Sequence, residues 1–205
     1  MITTDILPKG NYTRRHFNNF SERYSTWNYK GKNNNKYSAG ILPYTYDNSG
    51  KILFLLGKDY EGEWSDFGGR SEIRDNNNEK NTASREFFEE TLGSVMHISD
   101  CINIIDSSKT LKITSRTLNG APYYMYIVFI DFVNYNESFH KTSNFIKYQF
   151  KDNYSKIIEK TTIRWFTIDT ILNCIESITK PIPLRGVFYR TIQNCKEELL
   201  NIKNV

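Results

Sequence analysis

The sequence predicts an α/β domain in which helices pack on a β-sheet. Strand-like apolar segments recur from residue 37 onwards, helical segments separate them, and no internal repeat or long linker interrupts the chain. Strands flanked by separated helices are typical of layered α/β domains. The 205 residues suffice for one such domain with some margin, since domains usually span about 100–150 residues.

The first predicted unit is a β-hairpin. Residues 38–46 form one apolar run, the turn formers Asp-Asn-Ser-Gly occupy 47–50, and a second apolar run covers 51–56. Two such runs around a short polar turn indicate paired strands. Residues 1–36 mix aromatic residues with polar clusters. We therefore treat them as a basic, aromatic N-terminal extension of the domain at 37–205.

A glycine-bearing loop over residues 60–78 leads into a predicted helix. Residues 81–92 contain neither proline nor glycine, and Gly93 provides a stop. The last helix, at 184–200, carries apolar residues with helical spacing. The other predicted elements are strands at 101–106, 109–116, 122–133 and 161–166, and a helix at 137–150.

The net charge of +4 conceals an uneven distribution. Residues 1–36 contain seven lysines and arginines against two acidic residues, whereas residues 59–100 contain four against eleven. An acidic centre attracts cations, and a basic border attracts polyanions. Two differently charged solvated surfaces would give the same pattern.

Three classes of protein are disfavoured. The chain has no run of about 18 apolar residues that would predict a membrane-spanning helix, and its polar start does not resemble a secretory signal. Cys101, Cys174 and Cys195 are too far apart for a CxxC zinc knuckle or a disulfide framework. We therefore expect a protein of the reducing cytoplasm with no membrane partner.

The chemistry of the chain centres on the helix predicted at 81–92. Glu86, Glu89 and Glu90 stand at i, i+3 and i+4, so their carboxylates share one face. Such crowding is favourable with a cation between them, and Mg²⁺ or Mn²⁺ prefers oxygen ligands. Arg85 lies four residues before Glu89 and can hold a carboxylate through a charge-assisted hydrogen bond. An exposed, salt-bridged amphipathic helix is the alternative.

A glycine pair strengthens the functional interpretation. Gly68 and Gly69 follow the short segment Trp-Ser-Asp-Phe at 64–67. Glycines after a buried strand allow the backbone to approach a ligand or a metal ion closely.

The glycine pair and the acidic helix together resemble the Nudix box. In that family a glycine, five residues, a glutamate and seven further residues precede the sequence Arg-Glu-apolar-x-Glu-Glu-x-Gly. A hairpin before the box, Trp64 before the glycines and Ile-Arg-Trp-Phe at 163–166 agree with the family as well. The resemblance covers residues 37–170, and the box is also similar to that of Nudix proteins of giant DNA viruses. The matching box residues are Gly69, Arg85, Glu86, Phe87, Glu89 and Glu90.

The box departs from the family pattern in its spacing. The interval from Gly69 to Arg85 is two residues longer than in the family, so the middle glutamate has no exact counterpart. Asp75 or Glu79 is the candidate substitute, unless the role is unfilled. Two residues also stand before Gly93 where the family has one.

The resemblance implies an α/β/α sandwich with a mixed β-sheet and a catalytic loop-helix-loop. It also implies metal-dependent hydrolysis of a pyrophosphate bond in a nucleoside diphosphate that is linked to another group. Arg85 is expected to orient a glutamate, and Glu159 or Glu137 is the candidate general base. The groups expected to hold Mg²⁺ or Mn²⁺ are Glu86, Glu89, Glu90, Glu72 and the carbonyl of Gly69.

Substrate contacts are expected around the box. Lys58, Arg70 and Arg74 are candidates for binding phosphates, with solvated loop charges as the alternative. The rings that either stack on a base or belong to the core are Trp64, Phe67, Tyr123 and Tyr124.

The sequence leaves the substrate open within the class of phosphate-rich nucleotides. An RNA 5′ cap, and hence mRNA decapping, is attractive because residues 1–36 have the composition of a single-strand binding surface; packing of their aromatic residues on the domain is the alternative. Diphosphoinositol polyphosphates, ADP-ribose and dinucleoside polyphosphates are the other substrate classes. A non-catalytic nucleotide- or RNA-binding module is a second functional class, which the intact carboxylates disfavour. The oligomeric state is undecided, and a viral chain would act in the host cytoplasm.

Overall fold

The computed structural model describes residues 37–178 and 180–204, without the side chains of residues 203 and 204. The predicted extension at 1–36 lies outside the described residues and stays a prediction. The strands are β1 (Ser38–Tyr46), β2 (Ile52–Lys58), β3 (Trp64–Ser65), β4 (Phe67–Arg70), β5 (Leu111–Arg116), β6 (Pro122–Phe129) and β7 (Thr162–Thr167). The α-helices of the described part are α1 (Glu79–Glu90), α2 (Ile98–Ile105), α3 (Tyr135–Phe150), α4 (Ile168–Glu176), α5 (Gly186–Asn194) and α6 (Lys196–Leu200), with short 3₁₀ turns at Ile73–Asp75, Lys151–Lys156 and Asn201–Asn204.

The strands form one mixed sheet in the order β3-β2-β1-β6-β5. The predicted hairpin is confirmed, because β1 and β2 pair antiparallel with Tyr44 opposite Phe54. β1 also runs parallel to β6. The first half of β1 pairs with β4 and places Ala39 opposite Gly69. β7 pairs with β2 on its other side.

Both faces of the sheet carry helices, so the predicted α/β/α arrangement is confirmed. Alternate residues of β2 face opposite sides. Phe54 and Leu56 belong to the core under α4, α5 and α6, whereas Leu55 belongs to the core under α1, α2 and α3. The two cores therefore lie on opposite sides of one sheet.

The strand predicted at 101–106 is wrong, because this segment is helix α2. Its apolar residues follow a helical period that buries Cys101 and Ile105, one turn apart, against the sheet. The His97 imidazole caps the helix by accepting a hydrogen bond from the Ser99 amide. An apolar octapeptide is ambiguous between the two structures when only its composition is considered.

Other elements also differ from the prediction. The helix predicted at 184–200 breaks at Cys195 into α5 and α6. Helix α4 was not predicted; the side chain of Thr167 caps it by accepting a hydrogen bond from the Thr170 amide. β6 ends at Phe129, short of the predicted limit at 133.

The three cysteines are free thiols, and all three are buried. Within the part of the chain that the structure describes, no helix is long and apolar enough to span a membrane.

Candidate active site

The glycine pair on β4 brings the backbone against helix α1. A β-carbon added at Gly69 would lie 2.6 Å from the Glu86 carboxyl carbon and from both of its oxygens. Glu86 is itself buried. A side chain at position 69 and the observed Glu86 conformation therefore exclude each other, which explains the glycine at the first position of the box.

Asp75 and Glu79, the two candidates for the middle glutamate, make different contacts. Five residues separate Asp75 from Gly69, as in the family pattern. Its carboxylate accepts hydrogen bonds from Arg85 Nε at 2.8 Å and from Nη2 at 2.9 Å, and both side chains are buried. The other candidate, Glu79, instead pairs with Lys112 at 2.9 Å. Of the two candidates, Asp75 is therefore the one that contacts Arg85.

The two additional residues of the box follow Asp75. Asn76 and Asn77 have φ values of 55° and 56°, in the left-handed region. Asparagine tolerates this region better than most residues. Asn78 then starts α1, since its side chain accepts a hydrogen bond from the Lys80 amide. The insertion is therefore a tight turn that leaves both sides of the box in place.

Arg85 joins the loop to the carboxylates of its own helix, as its position predicts. Its Nη1 donates to Glu86 at 2.8 Å and to Glu89 at 3.0 Å, and its Nη2 donates to the Arg70 carbonyl at 2.9 Å. The guanidinium is only 7% exposed. It is therefore placed to orient glutamates, while solvent and ligands have little access to it.

The Glu86 carboxyl lies in a crowded acidic environment. Burial raises its pKa to about 8, and the charges of Glu90 and Glu89 add to this effect against the opposing influence of Arg85. Glu89 is more exposed and also accepts a hydrogen bond from Arg74 at 3.0 Å. Arg74 in turn pairs with Glu72 at 2.7 Å. Arg74, a predicted phosphate ligand, is therefore engaged by two carboxylates.

Glu90 forms a buried ion pair with Lys160, a residue that the sequence did not predict to belong to the site. One carboxylate oxygen lies 3.3 Å from Lys160 Nζ, and the other accepts the Gly68 amide at 2.8 Å. Lys160 Nζ also donates to the Ser65 hydroxyl at 2.9 Å. Burial raises the pKa of the Glu90 carboxyl to about 7, even though Lys160 lowers it.

A second buried polar contact joins Tyr123 to Asp66. The Tyr123 hydroxyl donates to the Asp66 carboxylate, and burial raises the pKa of this carboxyl to about 6. β-Carbons added at Gly40 and Gly68 would lie 2.6 Å and 2.8 Å from the same hydroxyl. These glycines therefore make room for the tyrosine.

Three of the four rings proposed for base stacking lie in the core. Trp64 packs edge-on against Phe166, and Phe67 packs edge-on against Phe87. Tyr123 is buried as well. Tyr124 is half-buried, and Lys112 Nζ lies 4.5 Å from the centre of its ring. Trp64, Phe67 and Tyr123 therefore belong to the core, which was the alternative to stacking on a base.

The remaining predicted residues are distributed over two clefts and the surface. Glu159 is exposed beside Glu90, Lys160 and Arg185 in one cleft. Lys58 lines the other cleft and lies over the Trp64 ring. Glu137 is exposed and pairs with Lys141, and the Arg70 side chain is exposed.

The carboxylates offer hard oxygen donors of the kind that Mg²⁺ and Mn²⁺ prefer. Among residues 37–178 and 180–204, however, no three His, Cys, Asp or Glu side chains are arranged to hold a metal ion. The Glu89 carboxylate forms ion pairs with Arg74 and Arg85, and the Glu90 carboxylate forms one with Lys160. The donor chemistry therefore fits a divalent ion, while the side chains are held by protein cations.

No protein-family model matches the sequence, and no curated protein matches it significantly. Among solved structures, the chain is similar to the Nudix domain of Shewanella oneidensis NrtR in complex with ADP ribose, at 14% identity and a TM-score of 0.47, over 87% of this chain and 97% of that chain. It is also similar to the Nudix hydrolase RenU of M. smegmatis, at 15% identity and a TM-score of 0.43, over 81% and 87% of the two chains. A third is an Ap4A hydrolase of C. elegans, at 16% identity and a TM-score of 0.41, over 80% and 98%.

Proposed function

We propose that the chain is a Nudix-type pyrophosphohydrolase that cleaves a phosphoric anhydride bond in a nucleoside diphosphate linked to another group. The observation that carries this proposal is the set of contacts around Arg85. Its guanidinium bonds to Asp75, Glu86 and Glu89 at 2.8–3.0 Å, and Glu86 packs on Gly69. The residues that match the family box are thus neighbours in space as well as in sequence.

The acidic face supports the use of Mg²⁺ or Mn²⁺. The candidate groups to hold the ion are Glu86, Glu89, Glu90 and the Gly69 carbonyl, with Glu72 at the exposed edge. When bound, such an ion supplies positive charge to the pyrophosphate oxygens and lowers the pKa of a bound water. Burial, and after it the charges of Glu90 and Glu89, raise the pKa of Glu86, and a bound cation would offset both effects by stabilising the carboxylate.

The chain's own residues contribute orientation and charge. Arg85 fixes the Glu86 and Glu89 carboxylates relative to β4, which keeps their positions defined before substrate binds. Arg70 and Lys58 are the candidate phosphate ligands. Glu159 is the candidate general base, because it is exposed in the same cleft as Glu90.

The substrate that we favour is capped RNA, on the strength of the seven basic residues at 1–36. Diphosphoinositol polyphosphates would use the basic charge without base stacking. ADP-ribose and dinucleoside polyphosphates would need neither feature. These alternatives differ in what they demand of the extension, so one panel distinguishes them.

A metal-dependent substrate panel tests the proposed activity. Full-length protein is incubated with capped RNA, diphosphoinositol polyphosphates, ADP-ribose and dinucleoside polyphosphates, with Mg²⁺ or with a chelator. We expect hydrolysis only with metal, and Glu89→Gln is expected to lower turnover by orders of magnitude with the fold intact. Glu176→Gln is the matched control, because Glu176 is exposed, pairs with Lys196 and lies on α4, which packs on the opposite face of the sheet from α1. Ligand binding without turnover of any substrate would favour a non-catalytic module instead.

The extension is tested by charge removal. Neutralising Arg14, Arg15 and Arg23 is expected to weaken the use of capped RNA, with a smaller effect at high salt. Turnover of small nucleotides should stay unchanged in this variant. If small nucleotides alone are hydrolysed, whatever the extension carries, the RNA proposal is wrong.

A further inference from the structure

Lys160 is a fully buried lysine, with 1% of its side chain exposed. Burying an ammonium group is costly unless a partner compensates its charge. Pairs of this kind often add little stability compared with apolar residues of the same size. A structural role alone therefore does not account for the lysine, and the groups around it indicate what it does.

The surroundings of Lys160 are shaped to admit it. A β-carbon at Gly57 would lie 2.9 Å from Lys160 Cδ and 2.8 Å from the Phe67 ring. The neighbouring Thr161 amide donates to the Lys58 carbonyl at 2.7 Å, which fixes the start of β7 beside the end of β2. The glycine in an otherwise apolar strand thus leaves a channel through which the lysine reaches the box.

The end of this channel is the Glu90 carboxylate. One of its oxygens faces Lys160 Nζ and the other faces the Gly68 amide, and only 3% of the side chain is exposed. Ser65 holds the ammonium group from the other side. Protein groups therefore neutralise and bond the last carboxylate of the box without any added ion.

We propose that Lys160 is a positioning residue. Its ammonium group neutralises the Glu90 carboxylate in place of a metal ion, so Glu90 is not a ligand of the divalent ion. The ion is then held by Glu86, Glu89 and the Gly69 carbonyl. This inference rests on the proposed metal-dependent function. The number of metal ions bound after Lys160 is replaced distinguishes this role from a purely structural one. A purely structural lysine would leave that number unchanged.

Direct Mn²⁺ binding tests the proposal. The free ion is measured by electron paramagnetic resonance during titration of the full-length wild type and of Lys160→Met. Removal of the internal cation frees Glu90 for metal, so the variant is expected to bind one additional Mn²⁺ per chain or to bind at least tenfold more tightly. Lys112→Met is the matched control, since it removes the same charge from Glu79 at the other end of α1 and is expected to bind as the wild type does.

A double variant keeps the test decisive if Lys160→Met does not fold. Lys160→Met combined with Glu90→Gln removes both charges and leaves no unpaired buried ion. We expect it to bind the wild-type number of Mn²⁺ ions with an affinity within threefold. Loss of a site in the double variant, or unchanged binding in folded Lys160→Met, overturns the role of Lys160 but leaves the proposed function intact. Absence of Mn²⁺ binding to the wild type would contradict the proposed function itself.

Discussion

Asp75 and Arg85 form a buried two-point ion pair, with Nε and Nη2 of the arginine 2.8 Å and 2.9 Å from the two carboxylate oxygens. The planar guanidinium matches a carboxylate in this arrangement. The Asp75 carboxylate also accepts the Glu72 amide at 2.8 Å and the Thr82 hydroxyl at 2.9 Å. One carboxylate thus connects the loop after β4 to helix α1.

Asp75→Asn is expected to lower the free energy of unfolding by about 3 kcal/mol, because it removes one member of a buried charge pair. It should also reduce hydrolysis, since Arg85 would lose the contact that fixes it relative to Glu86 and Glu89. Urea unfolding followed by circular dichroism measures the first effect, and steady-state kinetics measure the second.

Asp106→Asn is the control for this prediction. Asp106 pairs with Lys80 at the surface, with 54% of its side chain exposed. Exposed pairs contribute about 0–1 kcal/mol. Equal losses of stability in the two variants would contradict the role that we assign to Asp75.

Local patterns predicted most of the fold. The β1–β2 hairpin and helix α1 are defined by neighbouring residues, so apolar runs, turn residues and stop signals suffice. The strand prediction at 101–106 is wrong because the apolar residues of this segment are closely spaced, and their burial in a helix depends on the neighbours against which they pack. The break at Cys195 likewise has no glycine or proline at that position to mark it.

The candidate site was predictable where its residues lie in one motif. Gly69, Arg85 and Glu86 are close in sequence, and the spacing of the carboxylates on a helix brings them to one face. Lys160 is 70 residues beyond Glu90, and only the pairing of β2 with β7 brings the two together. Gly57 was the one signal in the sequence for this contact, because a glycine inside a strand often marks a place where another part of the chain approaches the backbone closely.

Gly69→Ala is expected to lower turnover by about 100-fold, since a small misplacement of a catalytic group has effects of that size. The new β-carbon would lie 2.6 Å from the Glu86 carboxyl and displace it. Turnover and Mn²⁺ affinity are the measurements.

The control for this prediction is Gly186→Ala, at the first position of α5. No atom lies within 4 Å of the added β-carbon there. The change is expected to be neutral or to stabilise by up to about 1 kcal/mol. If Gly69→Ala retains full activity, Glu86 does not need its observed position.

The left-handed turn at Asn76 and Asn77 predicts that glycine at position 77 gives a more stable protein than alanine does. Asn77→Ala is expected to cost about 1 kcal/mol, because an L-residue with a β-carbon is strained at its φ of 56°. Asn77→Gly should be neutral or slightly stabilising. Thermal unfolding of the two variants measures the difference. At Asn201, where φ is −87°, we expect no advantage of glycine over alanine; the same order at both sites would contradict the assigned turn.

The acidic cluster predicts that the metal-free protein becomes less stable as the pH rises. Burial raises the pKa of Glu86 to about 8 and that of Glu90 to about 7, whereas an unfolded glutamate titrates near about 4.3. Between these values the folded chain retains protons that the unfolded chain has lost. The free energy of unfolding therefore falls as the pH rises from 5 to 8, by no more than about 1.4 kcal/mol per pH unit and group. Asp75 has the opposite effect. Burial alone would raise the pKa of its carboxyl, but the hydrogen bonds and charge of Arg85, together with hydrogen bonds from the Glu72 amide and Thr82, lower it. Its contribution to stability is therefore lost only as the pH falls into the acid range.

Urea unfolding in the presence of a chelator, at pH values from 5 to 8, measures this dependence. Glu86→Gln removes one titrating group, so its stability should decline less steeply than that of the wild type. Glu137→Gln removes an exposed carboxylate that is distant in sequence from the box. Its free energy of unfolding should therefore decline with pH as steeply as that of the wild type. Stability that increases between pH 5 and 8 in the metal-free wild type would show that the crowded glutamates are not the groups that destabilise the folded state. A decline that Glu86→Gln leaves unchanged would instead assign the effect to Glu90 and Asp66, whose carboxyl pKa values burial raises to about 7 and about 6.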